Sequence, residues 1–250
     1  MKRCTGRITI FTVIFSIVIL SGCGSKQGKI IFTFDDDNIA DWYNKRGLFD
    51  KYDIKATFFV TRPHKLDSAQ VQMLHSLQED GHEIACHTLT HRNAVLYCDT
   101  TTIQKYIERE VLPAQKILNE YGFNCTSFAY PNGVSTPELD TALLDYYQIL
   151  RKATYNKEDT TINYIDRIYS DGNSRVIDAM GIDINFRISL DNFETGLKRI
   201  SKSGEILMVL AHQINETGGN YSVTKGYLEE AFKLCNKYKI ESITCSELYD

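Results

Sequence analysis

Short apolar runs alternate with amphipathic stretches along most of this chain. Residues 29–34, 55–60, 83–86, 126–130, 206–211 and 240–244 have the length and side chains of strands. The run 206–211 is apolar throughout, without alternation, as a strand covered on both faces requires. Between the runs lie helical patterns. Val71, Leu74 and Leu77 form one stripe over 67–80, where Asp67 or Ser68 can cap the start and Gly81 can take the left-handed position past the end. Ile103, Ile107, Ile117 and Leu118 mark a helix over 101–121, kinked at Pro113 and closed by Gly122. Thr136-Pro137 opens a third, carrying Leu139, Leu143 and Leu144, and a last helix spans 224–238. Residues 151–190 are polar and show no clear period. Strands alternating with helices predict βαβ units, a largely parallel sheet and one domain.

The first residues have a different pattern. Lys2, Arg3 and Arg7 precede an uncharged stretch from Ile8 to Leu20, followed by Leu20-Ser21-Gly22-Cys23. This is the layout of a signal peptide over 1–22, and thirteen helical residues would cover only about 20 Å of a hydrocarbon core about 30 Å thick. The small residues ending in cysteine resemble a bacterial lipobox. That resemblance implies lipidation at Cys23, a short tether over 23–28 and a folded region over 29–250. It also implies a protein anchored to the bilayer in a bacterial cell envelope, facing the periplasm or the exterior.

Composition narrows the function classes. With 43% hydrophobic and 24% charged residues in 250, the chain can bury a sizeable core. Its net charge is −4, and the basic leader carries +3 of the balance, so the remainder stands at −7. Nucleic acid is therefore not an expected partner. Cys4 and Cys23 aside, Cys86, Cys98, Cys125, Cys235 and Cys245 make an odd set with no C-x-x-C spacing. That argues against a disulfide framework or a thiolate zinc site and leaves one bridge, Cys235 to Cys245, open. Phosphate-loop, dinucleotide and G-x-S-x-G patterns are absent. No obligate protein partner is implied.

Chemistry gathers at strand ends. Phe34 is followed by Asp35-Asp36-Asp37, Cys86 by His87-Thr88-Leu89-Thr90-His91, Tyr130 by Pro131-Asn132-Gly133 and Ala211 by His212. In parallel α/β folds the carboxyl ends of strands share one face, where active sites form. His87 and His91, four apart, would face the same way on a helical turn, and a carboxylate from the first strand would complete a three-ligand metal site with open positions. Crowded acids at one strand end also call for a cation. Two histidines and one carboxylate suit non-haem iron as well as a hydrolytic metal.

At these residues the sequence resembles the polysaccharide deacetylase family, carbohydrate esterase family four. The matching stretches are Thr33-Phe34-Asp35-Asp36, Ala56-Thr57-Phe58-Phe59-Val60, Gly81-His82-Glu83-Ile84 with His87-Thr88 and His91, Phe128-Ala129-Tyr130-Pro131-Asn132-Gly133, Leu207 to His212, and the closing Ile243-Thr244-Cys245-Ser246-Glu247-Leu248. The resemblance implies a distorted (β/α)7 barrel and hydrolysis of acetyl groups on a carbohydrate polymer or oligosaccharide. It implies that Asp36, His87 and His91 bind a divalent metal, Zn2+ foremost with Co2+, Ni2+ or Mn2+ as alternatives. By the same resemblance Asp35 is the general base and His212 the general acid, while Tyr130, Pro131 and Asn132 adjoin the oxyanion and substrate.

Two positions depart from the family pattern. Ala129 stands where an arginine commonly orients the base, so Arg151, or failing that Arg167, is expected to supply the charge. Asp37 replaces a usual glycine. Asp183 is a candidate partner for His212. The missing arginine also motivates an alternative, a catalytically inactive carbohydrate-binding lipoprotein on the same fold. Trp42, Tyr43, Tyr130 and the aromatics near Tyr221 are candidates for stacking on sugar rings.

Overall fold

A computed structural model describes residues 27–155 and 161–249. Seven parallel strands form the barrel: β1 (Lys29–Asp36), β2 (Ala56–Val60), β3 (Glu83–Cys86), β4 (Ser127–Ala129), β5 (Ile149–Thr154), β6 (Val176–Gly181) and β7 (Ile206–Ala211). They pair in chain order, and β7 returns to β1 over six registered pairs from Lys29–Ile206 to Phe34–Ala211, which closes the sheet. The distorted (β/α)7 barrel is thus the observed architecture. Two short strands extend it, Glu241–Ser242 beside β1 and the antiparallel Tyr169–Ser170 beside β7.

Alternation along each strand sorts the side chains into two cores. Phe32, Phe34, Phe58, Ile84, Phe128, Leu150, Leu207 and Val209 point outward and pack under the helices. Ile31, Phe59, Ala85, Ala129, Ile149, Ala179, Met208 and Leu210 fill the barrel itself. The same parity sends Asp35, His87 and Arg151 inward at the carboxyl end, all of them at most 4% exposed. Cys86, one residue before His87, lies on the outer face.

Local rules explain the main helices. Asp67 and Gln70 form a reciprocal capping box at the start of Ser68–Glu79, and Gly81 past its end has φ +89°. The stretch Ile103–Glu120 is helical with a π segment, Ile107–Val111, just before Pro113, whose ring supplies no N–H to the ladder. Thr136 caps Pro137–Leu143 and Thr224 caps Lys225–Lys237. Sequence periodicity did not reveal β5, β6 or the helix Leu190–Ser203, which occupy much of the polar region and its border.

The signal segment 1–22 and Cys23 lie outside the described residues. Gln27 bonds to the Lys239 carbonyl, and Gly28 is buried so closely against Ile200 that a Cβ would stand 2.3 Å from its carbonyl oxygen. The folded body therefore takes in Gln27 and Gly28. No helix among the described residues is long and apolar enough to cross a membrane. Cys235 and Cys245 are both free and buried, so the bridge left open by the sequence does not form.

Candidate active site

A cleft of about 530 Å3 opens at the carboxyl ends of the strands, lined by Asp35, Asp36, His87, His91, Asn132 and His212 together with three aromatic side chains. Asp36 ends β1, where strict alternation would point it away from Asp35. Its φ of +84° breaks the extended backbone and brings the carboxylate to the mouth. His87 and His91 also meet, but not on a helical turn as their spacing suggested. They sit on a loop in which Thr88 and His91 adopt φ of +71° and +63°, and Thr88 Oγ accepts the His91 N–H at 3.0 Å. Left-handed conformations of such residues cost on the order of 1–2 kcal/mol each, so this loop holds its shape against a local preference.

Asp36, His87 and His91 offer ligand atoms that all lie within 4.8 Å of one another. His91 Nε2 is 3.2 Å and His87 Nε2 3.9 Å from Asp36 Oδ1. Two ligands of one tetrahedral zinc stand about 3.4 Å apart, so small adjustments would satisfy a cation. Two further observations fit a metal. Asp36 Oδ1 is buried without a hydrogen-bond partner. His87 Nδ1 donates to the Ala129 carbonyl at 2.8 Å, which fixes the tautomer and leaves the Nε2 lone pair facing the cleft. Burial pushes the His87 imidazole down to about 4, so it is neutral and able to ligate at pH 7.

Asp35 lies beside this triad and is held differently. Arg151 Nη2 donates to both of its carboxylate oxygens in a fully buried pair, with the guanidinium also 5.2 Å from the Phe59 ring centroid. Burial alone would raise the Asp35 carboxyl, but Arg151, followed by His87 and His212, holds it below the ordinary carboxylate range. Arg167 is exposed and takes no part. The register explains the substitution: Arg151 on β5 is the direct neighbour of Ala129 on β4, so the positive charge stands one strand over at the same level of the barrel.

His212 follows β7. Asp183 accepts from its ring Nδ1 at 2.6 Å and from its backbone N–H at 3.0 Å. Burial would lower the imidazole, but the Asp183 hydrogen bond and the Asp35 and Asp183 charges leave it raised. Asp183 itself is fully buried, and burial raises its carboxyl despite the bonds from His212. Trp42 Nε1 donates to the His212 carbonyl at 2.8 Å, anchoring this turn from behind.

Other sequence candidates fall elsewhere. Tyr130, expected near substrate, is fully buried and edge-on to Phe128 because strand parity turns it outward. Pro131 is buried too, and only Asn132, with φ +61°, faces the cleft. Gly133 explains the tight turn, since a Cβ there would stand 2.2 Å from Ala153 Cβ. Trp42 is in the core, and Tyr43 lies under the Arg46 guanidinium. Asp37 pairs with Arg62. The aromatic wall is instead Tyr155, Phe186 and Tyr221: the first two stack at 4.5 Å, and Tyr221 stands edge-on to His212 at 5.2 Å. Tyr155 and Phe186 had no sequence signal, coming from the stretch without a period.

Known proteins share this fold. A sequence profile for polysaccharide deacetylases matches residues 24–149. The chitin deacetylase of the fungal pathogen Colletotrichum lindemuthianum is similar at 16% identity and a TM-score of 0.57, over 90% of this chain and 88% of that one. A family 4 acetyl xylan esterase from Clostridium thermocellum, solved with cobalt, gives 18% and 0.52 over 88% and 90%. A family 4 pseudoenzyme from Bacillus anthracis gives 15% and 0.56 over 91% and 67%. No curated protein sequence matches the chain. At such identities the structural likeness is one of fold, but the sequence profile covers half of the chain: the protein belongs to the polysaccharide deacetylase family.

Proposed function

We propose that this protein is a metal-dependent hydrolase that removes N- or O-linked acetyl groups from a carbohydrate polymer. The observation that carries the reading is the meeting, in one cleft, of a three-ligand cation site with a base held ionised and an imidazole backed by a carboxylate. Asp36, His87 and His91 would hold a divalent cation, foremost Zn2+, which would supply Lewis acidity toward the acetyl carbonyl and lower the pKa of water. Asp35 takes the proton of the attacking water, and Arg151 keeps it ionised for that task. The Asn132 backbone N–H faces the developing oxyanion. His212 gives its proton to the departing amine or alcohol, with Asp183 orienting the ring. Tyr155, Phe186 and Tyr221 offer apolar faces to sugar rings. Peptidoglycan, chitin-like polymers, xylan and exopolysaccharides all carry suitable acetyl groups.

Acetate release from acetylated oligosaccharides of these classes tests the assignment. The wild-type protein loaded with Zn2+ or Co2+ should release acetate. Asp36→Asn and His87→Ala should lose metal and activity together, and Asp35→Asn should keep metal while turnover falls about 10²–10⁴-fold. Wild-type turnover in Asp35→Asn would remove it from the base role. A metal-loaded wild type that binds these oligosaccharides but releases no acetate would instead leave the carbohydrate-binding reading. The arginine missing at Ala129 no longer favours that reading, because Arg151 stands in its place.

The charged and apolar order of residues 1–23 further supports an envelope lipoprotein anchored through Cys23. Cys23→Ser should move the protein from the membrane to the soluble fraction of a bacterial host. Equal membrane retention in both forms would refute the anchor.

A further inference from the structure

The helix Ile103–Tyr106 and its π continuation present a buried stripe of Tyr106, Ile107, Glu110 and Val111, extended by Ala114 and Leu118. One member of this stripe is an acid. Glu110 is 5% exposed, and a carboxylate is costly to bury unless it is well bonded. Its side chain is bonded to one residue, and its carbonyl to the residue before that one. Glu110 Oε2 accepts the Thr90 backbone N–H at 2.9 Å, Oε1 accepts the Thr90 hydroxyl at 2.6 Å, and its backbone carbonyl accepts the Leu89 N–H at 2.8 Å. Leu89 and Thr90 lie between the two histidines of the cation site.

The segment they hold is the strained one. Thr88 and His91 both have left-handed backbones, and His91 is tied inside the loop through the Thr88 hydroxyl. His87 is fixed independently by the Val60 and Ala129 carbonyls, whereas His91 projects from the far end of the loop. We infer that Glu110 is a positioning residue for the cation site, clamping Thr90 so that His91 Nε2 meets Asp36 and His87. The inference rests on the metal reading proposed above and assigns Glu110 no contact with substrate or cation.

Metal affinity of the full-length protein, stripped and then titrated calorimetrically with Zn2+, tests it. Co2+ absorption reports ligand geometry in parallel. Glu110→Ala should weaken Zn2+ binding about 10–100-fold, the usual effect of removing a group that orients a ligand, and should alter the Co2+ spectrum. Glu110→Gln, which keeps one acceptor for Thr90, should fall between Glu110→Ala and wild type. Thr90→Val, which keeps the N–H bond alone, should also weaken binding, and both milder variants should melt like wild type when metal-free. If Glu110→Ala does not fold, the two milder variants carry the test. Wild-type affinity and spectrum in the variants would overturn the inference. So would weakened binding that simply follows a lower metal-free melting temperature, because that describes a structural residue. A wild-type protein that binds neither ion would overturn the metal reading and this inference together, whereas strong wild-type binding with unaffected variants overturns this inference alone.

Discussion

Asp35 and His212 are tuned in opposite directions by neighbours that outweigh their burial. Arg151 holds Asp35 ionised well into acid, and Asp183 with Asp35 holds the proton on His212 toward alkaline pH. A reaction needing the ionised acid and the protonated imidazole then has a broad, bell-shaped window in kcat/KM. Arg151→Met removes the largest influence opposing burial at Asp35, so the acid limb should move to higher pH. Asp183→Asn removes a carboxylate charge that helps to raise His212, so the basic limb should move to lower pH. A pH–rate profile checks both, and limbs that stay in place would mean that other groups titrate there. Stability obeys the same sign. The depressed Asp35 pKa stabilises the fold fully above the ordinary carboxylate value of about 3.9, and the contribution fades as pH falls below it. Arg151→Met should accordingly cost about 3–5 kcal/mol in urea unfolding at neutral pH, because it leaves a buried charge alone, and less in acid.

At the scale of elements, legibility followed chemical monotony. β7 and β3 were readable to the residue because each is an apolar run with a polar break after it, and Ser68–Glu79 because its cap and terminal glycine frame a single stripe. β5 was not readable, since Arg151 and Lys152 interrupt it and only the closed barrel shows that Arg151 is buried. The family resemblance implied that the charge missing at Ala129 comes from elsewhere and put Arg151 ahead of Arg167, but the choice between them depended on strand register, which no local pattern encodes. The histidine pair shows the converse. Its spacing suited a helix, and the two rings do converge, at 4.9 Å, yet through left-handed residues that spacing cannot foretell. Glu110 was hidden for a similar reason, as an acid within a helical pattern reads as exposed until the loop over it is known. Tyr130 failed simply by parity, since it stands outward in a barrel whose site faces in.

For the molecule as a whole, the cleft concentrates features that oppose folding. Asp36, Thr88, His91, Asn132 and Tyr221 have left-handed backbones around it, Asp36 Oδ1 is buried without a partner, and the Asp35 and Asp183 carboxylates are buried beneath. A cation bound only by the folded chain would offset part of that cost and link metal to global stability. At a free concentration of 100 times Kd the linkage is about 2.7 kcal/mol. Each kcal/mol moves the melting temperature of a chain this size by about 2–4 °C, so Zn2+ should raise it by about 5–10 °C, and a chelator should reverse the rise. His87→Ala should abolish the shift, because the remaining carboxylate and imidazole form an incomplete site. Asp35→Asn should keep it, because Asp35 stands beside the three candidate ligands and is not one of them. Mg2+ at equal concentration should have little effect, since a pair of imidazoles suits a borderline cation and not a hard one that prefers oxygen ligands. Equal shifts from Mg2+ and Zn2+, or an undiminished Zn2+ shift in His87→Ala, would place the stabilising cation somewhere other than this cleft.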